Sequence, residues 1–495
     1  MLIVATGYGR FHLLILALCG WAVSSDAIEV LSVSFLLPSA TCDFGLSSTD
    51  KGNLNSVIFL GMIVGGYFWG SLADKAGRRT VLLGSLTVNG LGGLASSVAQ
   101  SFWLFLLLRF ISGVGVGGSI PVIFSYFTEF QPKAKRGMMI SVLATFWMFG
   151  NIIAAGLAWA IIPQKLGVVT PSFTYDSWRV FIAVCTIPSL TSAAIFILMP
   201  ESPKFLIETG KEDMAVAVLR KVHRINKPKE FKVFPYTFVT LSGDEDEKSK
   251  RDDVLPRNLN CCARYWIATK QMLTTTVRLF RKPMAGRTIV ILVINFTLSF
   301  GYYGLWLWFP EIFSRIEKNG GSPCDVGLNT TAPNITVETN ITCHLPDDWV
   351  YLSGFLTAAS NLPGNLLTIF LMDKIGRKGL LASSMVVSGG CVFFILFVHN
   401  KTQNLLVACL FGAVSTVGWN SLDVLGAELF PTAVRSTAFG LQSVFGRTGA
   451  ILGNQVFGLL VDVHCAVPLL LVASMLTFGG LASIKLPNTT KADIH

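Results

Sequence analysis

Apolar runs of spanning length recur along the whole chain, separated by short polar stretches. They fall at about 11–38, 54–73, 80–99, 101–128, 138–162, 178–199, 288–310, 349–371, 379–398, 403–426, 437–461 and 465–486. Roughly 20 apolar residues in a helix cross the ~30 Å hydrocarbon layer of a bilayer. No run shows the alternation of a barrel strand, and backbone inside lipid must bond to itself. The pattern predicts an all-α membrane protein with twelve transmembrane helices.

The polar stretches set its orientation. "DKAGRRT" after the second run, "KAKRG" after the fourth and "DKIGRKG" after the eighth are basic, as is the stretch from Glu201 to Arg287. Lys and Arg gather on the cytoplasmic side, so these loops are expected there, and an even number of spans puts both termini there too. Composition agrees, with 52% hydrophobic residues, 14% charged and a mean hydropathy of +0.59. The net charge of +10 is spread over loops rather than gathered on one face, which argues against a nucleic-acid partner. The first run holds two acids and no cleavage pattern follows it, so it reads as a span and not as a secretory signal.

Two loop segments repeat. "GSLADKAGRR" and "IFLMDKIGRK" align Asp74 with Asp373, Gly77 with Gly376 and Arg78 with Arg377. "EFQPKAKRG" and "ELFPTAVRS" align Glu129 with Glu428 and Arg136 with Arg435. One offset of 299 residues serves both pairs, which marks an internal duplication. The expected domains are a six-helix half at 1–199, a cytoplasmic linker with short helices at 200–287 and a second six-helix half at 288–495. Transporters built from repeats hold their substrate between the halves. The duplicated charges are expected to act as gates, holding the halves shut on the cytoplasmic side and parting as they rock.

The linker contains a helix-like "KEDMAVAVLRKVHRI" and a solvated run, Ser242 to Asp253. Cys261 and Cys262 read as plain buried thiols, with lipidation near the membrane as the alternative. The exoplasmic loop 311–348 carries three glycosylation sequons, at Asn329, Asn334 and Asn340, and Cys324 and Cys343 flank them and could close a disulfide.

The duplicated loops resemble the major facilitator superfamily, and "RFISGVGVGG", "PESPKF" and "WR" resemble its sugar-porter branch. "DAIEVLSVSFLLPSA", "GGSIPVIFSYFTEF", "LAWAIIP", "LPGNLLTIFLMDKIGR" and "GWNSLDVLGAELFP" resemble the synaptic vesicle glycoprotein 2 family more closely, over nearly the whole chain. The resemblance implies the major facilitator fold and a synaptic or secretory vesicle membrane, or the plasma membrane, as location. That family carries a long cytoplasmic region before span one and a large luminal insert between spans seven and eight. Here about nine residues precede span one and the loop is short, so functions tied to those parts are not carried over. "LPNTT" departs from the acidic "PET" ending of sugar porters.

Charges inside the spans carry the chemistry. Asp26 and Glu29 stand three apart on one helix face, which is expected to look into the central cavity. A desolvated carboxyl there suits proton binding and release. Arg109 in span four is the expected partner of Asp26, as the resemblance to proton-coupled sugar porters implies, with Glu29 either the coupling acid instead or a solvated cavity wall; Arg109 has no counterpart at the 299 offset, where Ala408 stands. Trp147, Tyr302, Tyr303, Trp419, Asn420 and Asp423 are the expected substrate wall, since they match positions lining the central pocket in the vesicle family. Arg447 is expected to neutralise Asp423. Span seven reads "NFTLSFGYYGLW" where sugar porters place glutamines, which weakens a sugar as substrate.

"GVGVGG" matches a dinucleotide fingerprint through Gly113, Gly115 and Gly118, but it lies inside a span, where small residues serve close helix contact. There is no catalytic constellation, metal-ligand spacing or cofactor motif, so neither an enzyme nor a metal protein is expected. The sequence points to a secondary transporter of a small organic solute, proton-coupled through Asp26 and Arg109. The alternative is a transporter-like vesicle glycoprotein that binds a ligand or vesicle proteins and regulates traffic without net transport.

Overall fold

The computed structural model describes residues 7–132, 135–164, 166–170, 173–226, 274–318 and 347–487. Asn329, Asn334, Asn340, Cys324 and Cys343 lie outside the described residues, as do the Ser242–Asp253 run, Cys261, Cys262 and Asn488.

The first half comprises α1 (Arg10–Phe44), α2 (Ser48–Ala76), α3 (Arg78–Ser97), α4 (Phe102–Glu129), α5 (Arg136–Ile161), a hairpin of β1 (Gly167–Thr170) and β2 (Phe173–Asp176), α6 (Ser177–Cys185) and α7 (Ile187–Phe196). α6 and α7 form one span broken next to Pro188, which lacks the amide hydrogen to continue the ladder. Between the halves stand α8 (Pro203–Glu208) and α9 (Glu212–Asn226). The second half comprises α10 (Ala285–Trp306), α11 (Phe309–Lys318), α12 (Asp348–Ile375), α13 (Arg377–Ile395), α14 (Lys401–Leu429), α15 (Thr432–Leu460) and α16 (Ala466–Ser483).

Ten of the described helices are long and apolar enough to cross a membrane. α3 and α15 complete the twelve spans, with α6 and α7 counted as one, and have adequate length but more polar and small residues; α3 packs on α4, and α15 on α10 and α2. Large apolar side chains such as Trp103, Phe370 and Leu406 stay 64–74% exposed, which suits contact with lipid tails.

Helix starts are set locally. At α2, Ser47 Oγ accepts from Asp50 N at 3.2 Å and the Asp50 carboxylate returns to Ser47 N at 3.1 Å, a reciprocal cap. The duplication is structural as well as sequential. Gly77 and Gly376 each end one helix and start the next, at φ +94° and +87°, a region closed to most side chains.

The linker begins as the sequence predicts, with the helix-like stretch folded as α9. It does not stand apart from the first half. Phe11 N donates to Asn226 Oδ1 at 2.9 Å, and Asn226 Nδ2 donates to Gly7 O at 2.8 Å. The outer loop begins later than expected. Residues 311–318 belong to helix α11, whose Ile312, Phe313 and Ile316 are buried against neighbouring helices. Cys42 and Cys465, near the outer ends of α1 and α16, are disulfide-bonded.

The halves meet along α2 with α15, α5 with α12, and α1 with α11. At the end of the bundle away from the duplicated charged loops the seal is tight. Ser34 Oγ donates to Leu307 O at 2.7 Å, Ser39 and Tyr351 hydroxyls lie 2.7 Å apart, and Gln455 Nε2 donates to Asn53 Oδ1 at 2.9 Å. Gly52 and Gly458 let α2 and α15 touch, since a Cβ on Gly52 would sit 3.1 Å from Gly458 Cα.

Candidate functional site

The first half buries a polar network in its core. Asp26 and Glu29 are 0% and 2% exposed on α1, and they face α3 and α4 within their own half rather than the central cavity. Their partners also differ from expectation. Arg109 Nη1 donates to Glu29 Oε1 at 2.6 Å and contacts Ser32 Oγ at 3.5 Å. Asp26 accepts from Ser119 Oγ at 2.7 Å and from Asn89 Nδ2 at 3.3 Å, with no ion pair among the described residues. The arginine therefore belongs to Glu29, one helical turn from the predicted acid. Ser112 joins the two sites, with its hydroxyl 2.5 Å from Glu29 Oε1 and 3.0 Å from Asn89 Oδ1. One hydroxyl hydrogen serves one of these acceptors at a time. Arg109 Nε and Nη2 are buried without a hydrogen bond, and the guanidinium lies 5.3 Å from the Phe105 ring.

Between the halves the predicted aromatic wall is assembled. A narrow cleft is lined by Val30, Leu31, Trp147, Asn151, Tyr302 and Tyr303. Trp419 packs on both tyrosines, with centroids at 6.0 Å and 5.8 Å, and Tyr302 stacks on Trp306 at 5.3 Å. Phe59 of α2 closes on Tyr303 at 4.9 Å. The Trp419 indole N–H is buried without an acceptor. A second narrow cleft lies on the other side of Trp306, against Phe35, Phe309 and Gly354.

Asn420 does not face a free space. Its Nδ2 donates to Asn365 Oδ1 at 2.7 Å, and Asn365 Nδ2 donates across the halves to Thr145 Oγ1 at 3.1 Å. Asp423, one turn beyond Trp419, is exposed, although it sits mid-helix. Arg447 does not neutralise it: Arg447 Nη1 donates to Met62 O of α2 at 3.3 Å, and no ion pair joins the two among the described residues.

The duplicated charges form duplicated bonds. Arg78 Nε lies 3.4 Å from Glu129 and Arg377 Nε 3.4 Å from Glu428, one pair in each half. Each ties neighbouring helices of its own half, so neither spans the halves as a cytoplasmic gate is expected to. Asp74 pairs with Arg78 at 3.5 Å but is 79% exposed, and Arg435 Nε donates to Phe430 O at 3.2 Å. Arg136 starts α5 with a buried, unbonded Nε. Asp373 lies on α12, two residues before its end.

The ion pair that does join the halves lies at the opposite end and has no signal in the sequence. Lys51 of α2 and Glu311 of α11 meet at 2.8 Å, with side chains 7% exposed. Arg315 bonds Glu311 at 3.1 Å, Asp462 at 2.9 Å and Ser48 Oγ at 3.0 Å. Burial raises the Glu311 carboxyl, but Lys51 and Arg315 outweigh it and hold it below the usual range. The "DKG" of residues 50–52 and a short acidic–basic helix give no reason to be joined.

Comparison with known proteins fits this architecture. The family model described as Major Facilitator Superfamily matches residues 13–454. Synaptic vesicle glycoprotein 2C of Rattus norvegicus is 33% identical over 99% of this chain and 80% of its own length. Synaptic vesicle glycoprotein 2B of Mus musculus is 33% identical over 98% of this chain and 84% of its own. Among solved structures, the partially occluded inward-open conformation of the xylose transporter XylE from E. coli superposes with a TM-score of 0.67 at 17% identity, covering 97% of this chain and 100% of that one. The chain belongs to the major facilitator superfamily, and within it is a relative of the synaptic vesicle glycoproteins 2.

Proposed function

We propose that this protein is a secondary transporter that moves a small organic solute by alternating access, coupled to protons through the Asp26–Glu29–Arg109 network. The observation that carries this reading is the state of Asp26, a fully buried carboxyl held by neutral donors, linked through Asn89 and Ser112 to the Glu29–Arg109 pair. Such a group is costly in a membrane unless it is used, and a carboxyl without a cation is the one that takes a proton most readily. Protonating Asp26 changes the demand on Asn89, which lets Ser112 turn between Asn89 and Glu29 and so alters the hold on Arg109. The two unbonded nitrogens of Arg109 are available for a new partner in the other conformation. The solute would sit against Trp147, Tyr302, Tyr303 and Trp419, between the halves.

The relatives' names favour a vesicle membrane as the location. They also support the second reading, a vesicle glycoprotein that binds ligand or partner proteins without net flux. The test is solute-dependent proton flux in liposomes containing a pH-sensitive dye. Asp26→Asn is expected to keep solute exchange between the two sides and to lose uphill accumulation. Accumulation that survives in this variant rules out coupling through Asp26, and absence of exchange in the folded wild-type protein favours the second reading.

A further inference from the structure

The second half carries two mid-helix charges of opposite sign, Asp423 and Arg447, that do not neutralise each other. Asp423 lies on α14, 40° round the helix from Trp419 at about 100° per residue. The lipid-facing Leu410 lies on the opposite side, so Asp423 looks into the bundle, where it is nonetheless exposed. Arg447, on α15, is partly exposed, and its guanidinium contacts the Met62 carbonyl and lies 3.4 Å from where a Cβ on Gly66 would stand. Neither carries an ion pair among the described residues. Tyr303 packs on Trp419, one turn before Asp423, at 5.8 Å and on Phe59, one turn before the Met62 that holds Arg447, at 4.9 Å, which sets both charges beside one aromatic cluster. A neutral polyol would leave two membrane-embedded charges uncompensated, and a simple cation or anion would leave one.

Resting on the transporter reading above, we propose that the solute is a small zwitterion, with its cationic group against Asp423 and its anionic group against Arg447. The aromatic wall fits the cationic end, since ring faces of Trp419 and Tyr303 attract an ammonium, a quaternary one included. The unpartnered Trp419 indole N–H is the donor left for an oxygen of the anionic end.

The test separates binding from transport. Glycine betaine, choline and 3,3-dimethylbutyrate form one matched set of zwitterion, cation and anion; phenylalanine, phenethylamine and 3-phenylpropionate form a second, with xylose as the neutral control. Binding to the detergent-purified full chain is read as a thermal shift, and counterflow is read in liposomes. At least one zwitterion is expected to bind ten-fold or more tighter than its cation and its anion. Asp423→Asn should reduce its affinity to that of the matched anion, and Arg447→Gln to that of the matched cation. Asp423→Glu should restore the preference, which controls for misfolding. A zwitterion preference without counterflow upholds the proposal and removes the transporter reading. Tighter binding of xylose or a singly charged analogue overturns the proposal, as does the absence of any zwitterion preference in folded protein.

Discussion

Glu29 and Asp26 look alike in the sequence, two acids one turn apart, yet the structure gives them opposite energetics. Glu29 compensates Arg109, which is 0% exposed, so Glu29→Gln leaves a buried guanidinium without its charge. Removing one member of such a pair costs about 3–5 kcal/mol. Asp26 has only Ser119 and Asn89, and an asparagine can accept from Asn89 Nδ2 with its one oxygen and donate its amide to Ser119 Oγ, whose hydrogen then turns to Val116 O. Asp26→Asn is therefore expected to melt close to wild type, while Glu29→Gln melts many degrees lower or fails to fold, as read by thermal denaturation in detergent. Equal melting temperatures for both variants would contradict this assignment of Arg109. The sequence makes both acids and the arginine visible, because a charge inside an apolar run stands out. It cannot assign the partner, since residues three apart share a helix face and only the packing of α3 and α4 decides which acid meets the guanidinium.

At the scale of elements, legibility follows where the signal is stored. The spans and the duplicated loops are readable because hydropathy and a fixed offset are properties of the chain itself, and Gly77 and Gly376 repeat the match in their backbone angles. α11 reads as loop in the sequence because its apolar face is short and interleaved with charge, and only docking on neighbouring helices makes it a helix. The outer hairpin β1–β2 is a third case, small and without hydropathic signal. It delivers Asp176 to the start of α6, beside Asp43, whose carboxylate accepts from Trp178 Nε1 at 2.9 Å and pairs with Arg179 at 3.6 Å. Burial, then the Asp43 charge, push the Asp176 carboxyl up to about 6, with Arg179 opposing. A carboxyl raised on folding contributes stability that is complete below its unfolded value of 3.8 and is lost as pH rises through about 6. Hydrogen exchange of residues 166–180, corrected for intrinsic rates, should show protection falling between roughly pH 3.5 and pH 6.5 and level above it. Asp176→Asn should abolish that fall, and a fall that persists in it assigns the titration to another group.

For the whole molecule, the distribution of cross-half bonds decides which side is shut. The Arg78–Glu129 and Arg377–Glu428 pairs brace each half internally, while Lys51–Glu311 joins the two at the opposite end, the one the loop charges predict to face outward. A rocking carrier must break this contact to open outward, and the energy that matters is the difference the pair makes between the two conformations. A loss of about 1.4 kcal/mol from the outward-closed state raises the outward-open population ten-fold while that state is minor. Because both side chains are buried, Lys51→Met should deliver at least that much and leave Glu311 to Arg315 alone. Ser34, fully buried under Leu307, reports the opening. With Ser34→Cys as the probe, an impermeant maleimide added from outside should label the Lys51→Met protein about ten-fold faster than the parent. Lys51→Glu combined with Glu311→Lys reverses the pair, but it also sets the introduced lysine beside the Arg315 guanidinium, two cations in contact. It should therefore label at an intermediate rate, faster than the parent and slower than Lys51→Met. If Lys51→Met labels no faster than the parent, the outer seal rests on the helix packing around Gly52 and Gly458 instead of on this ion pair.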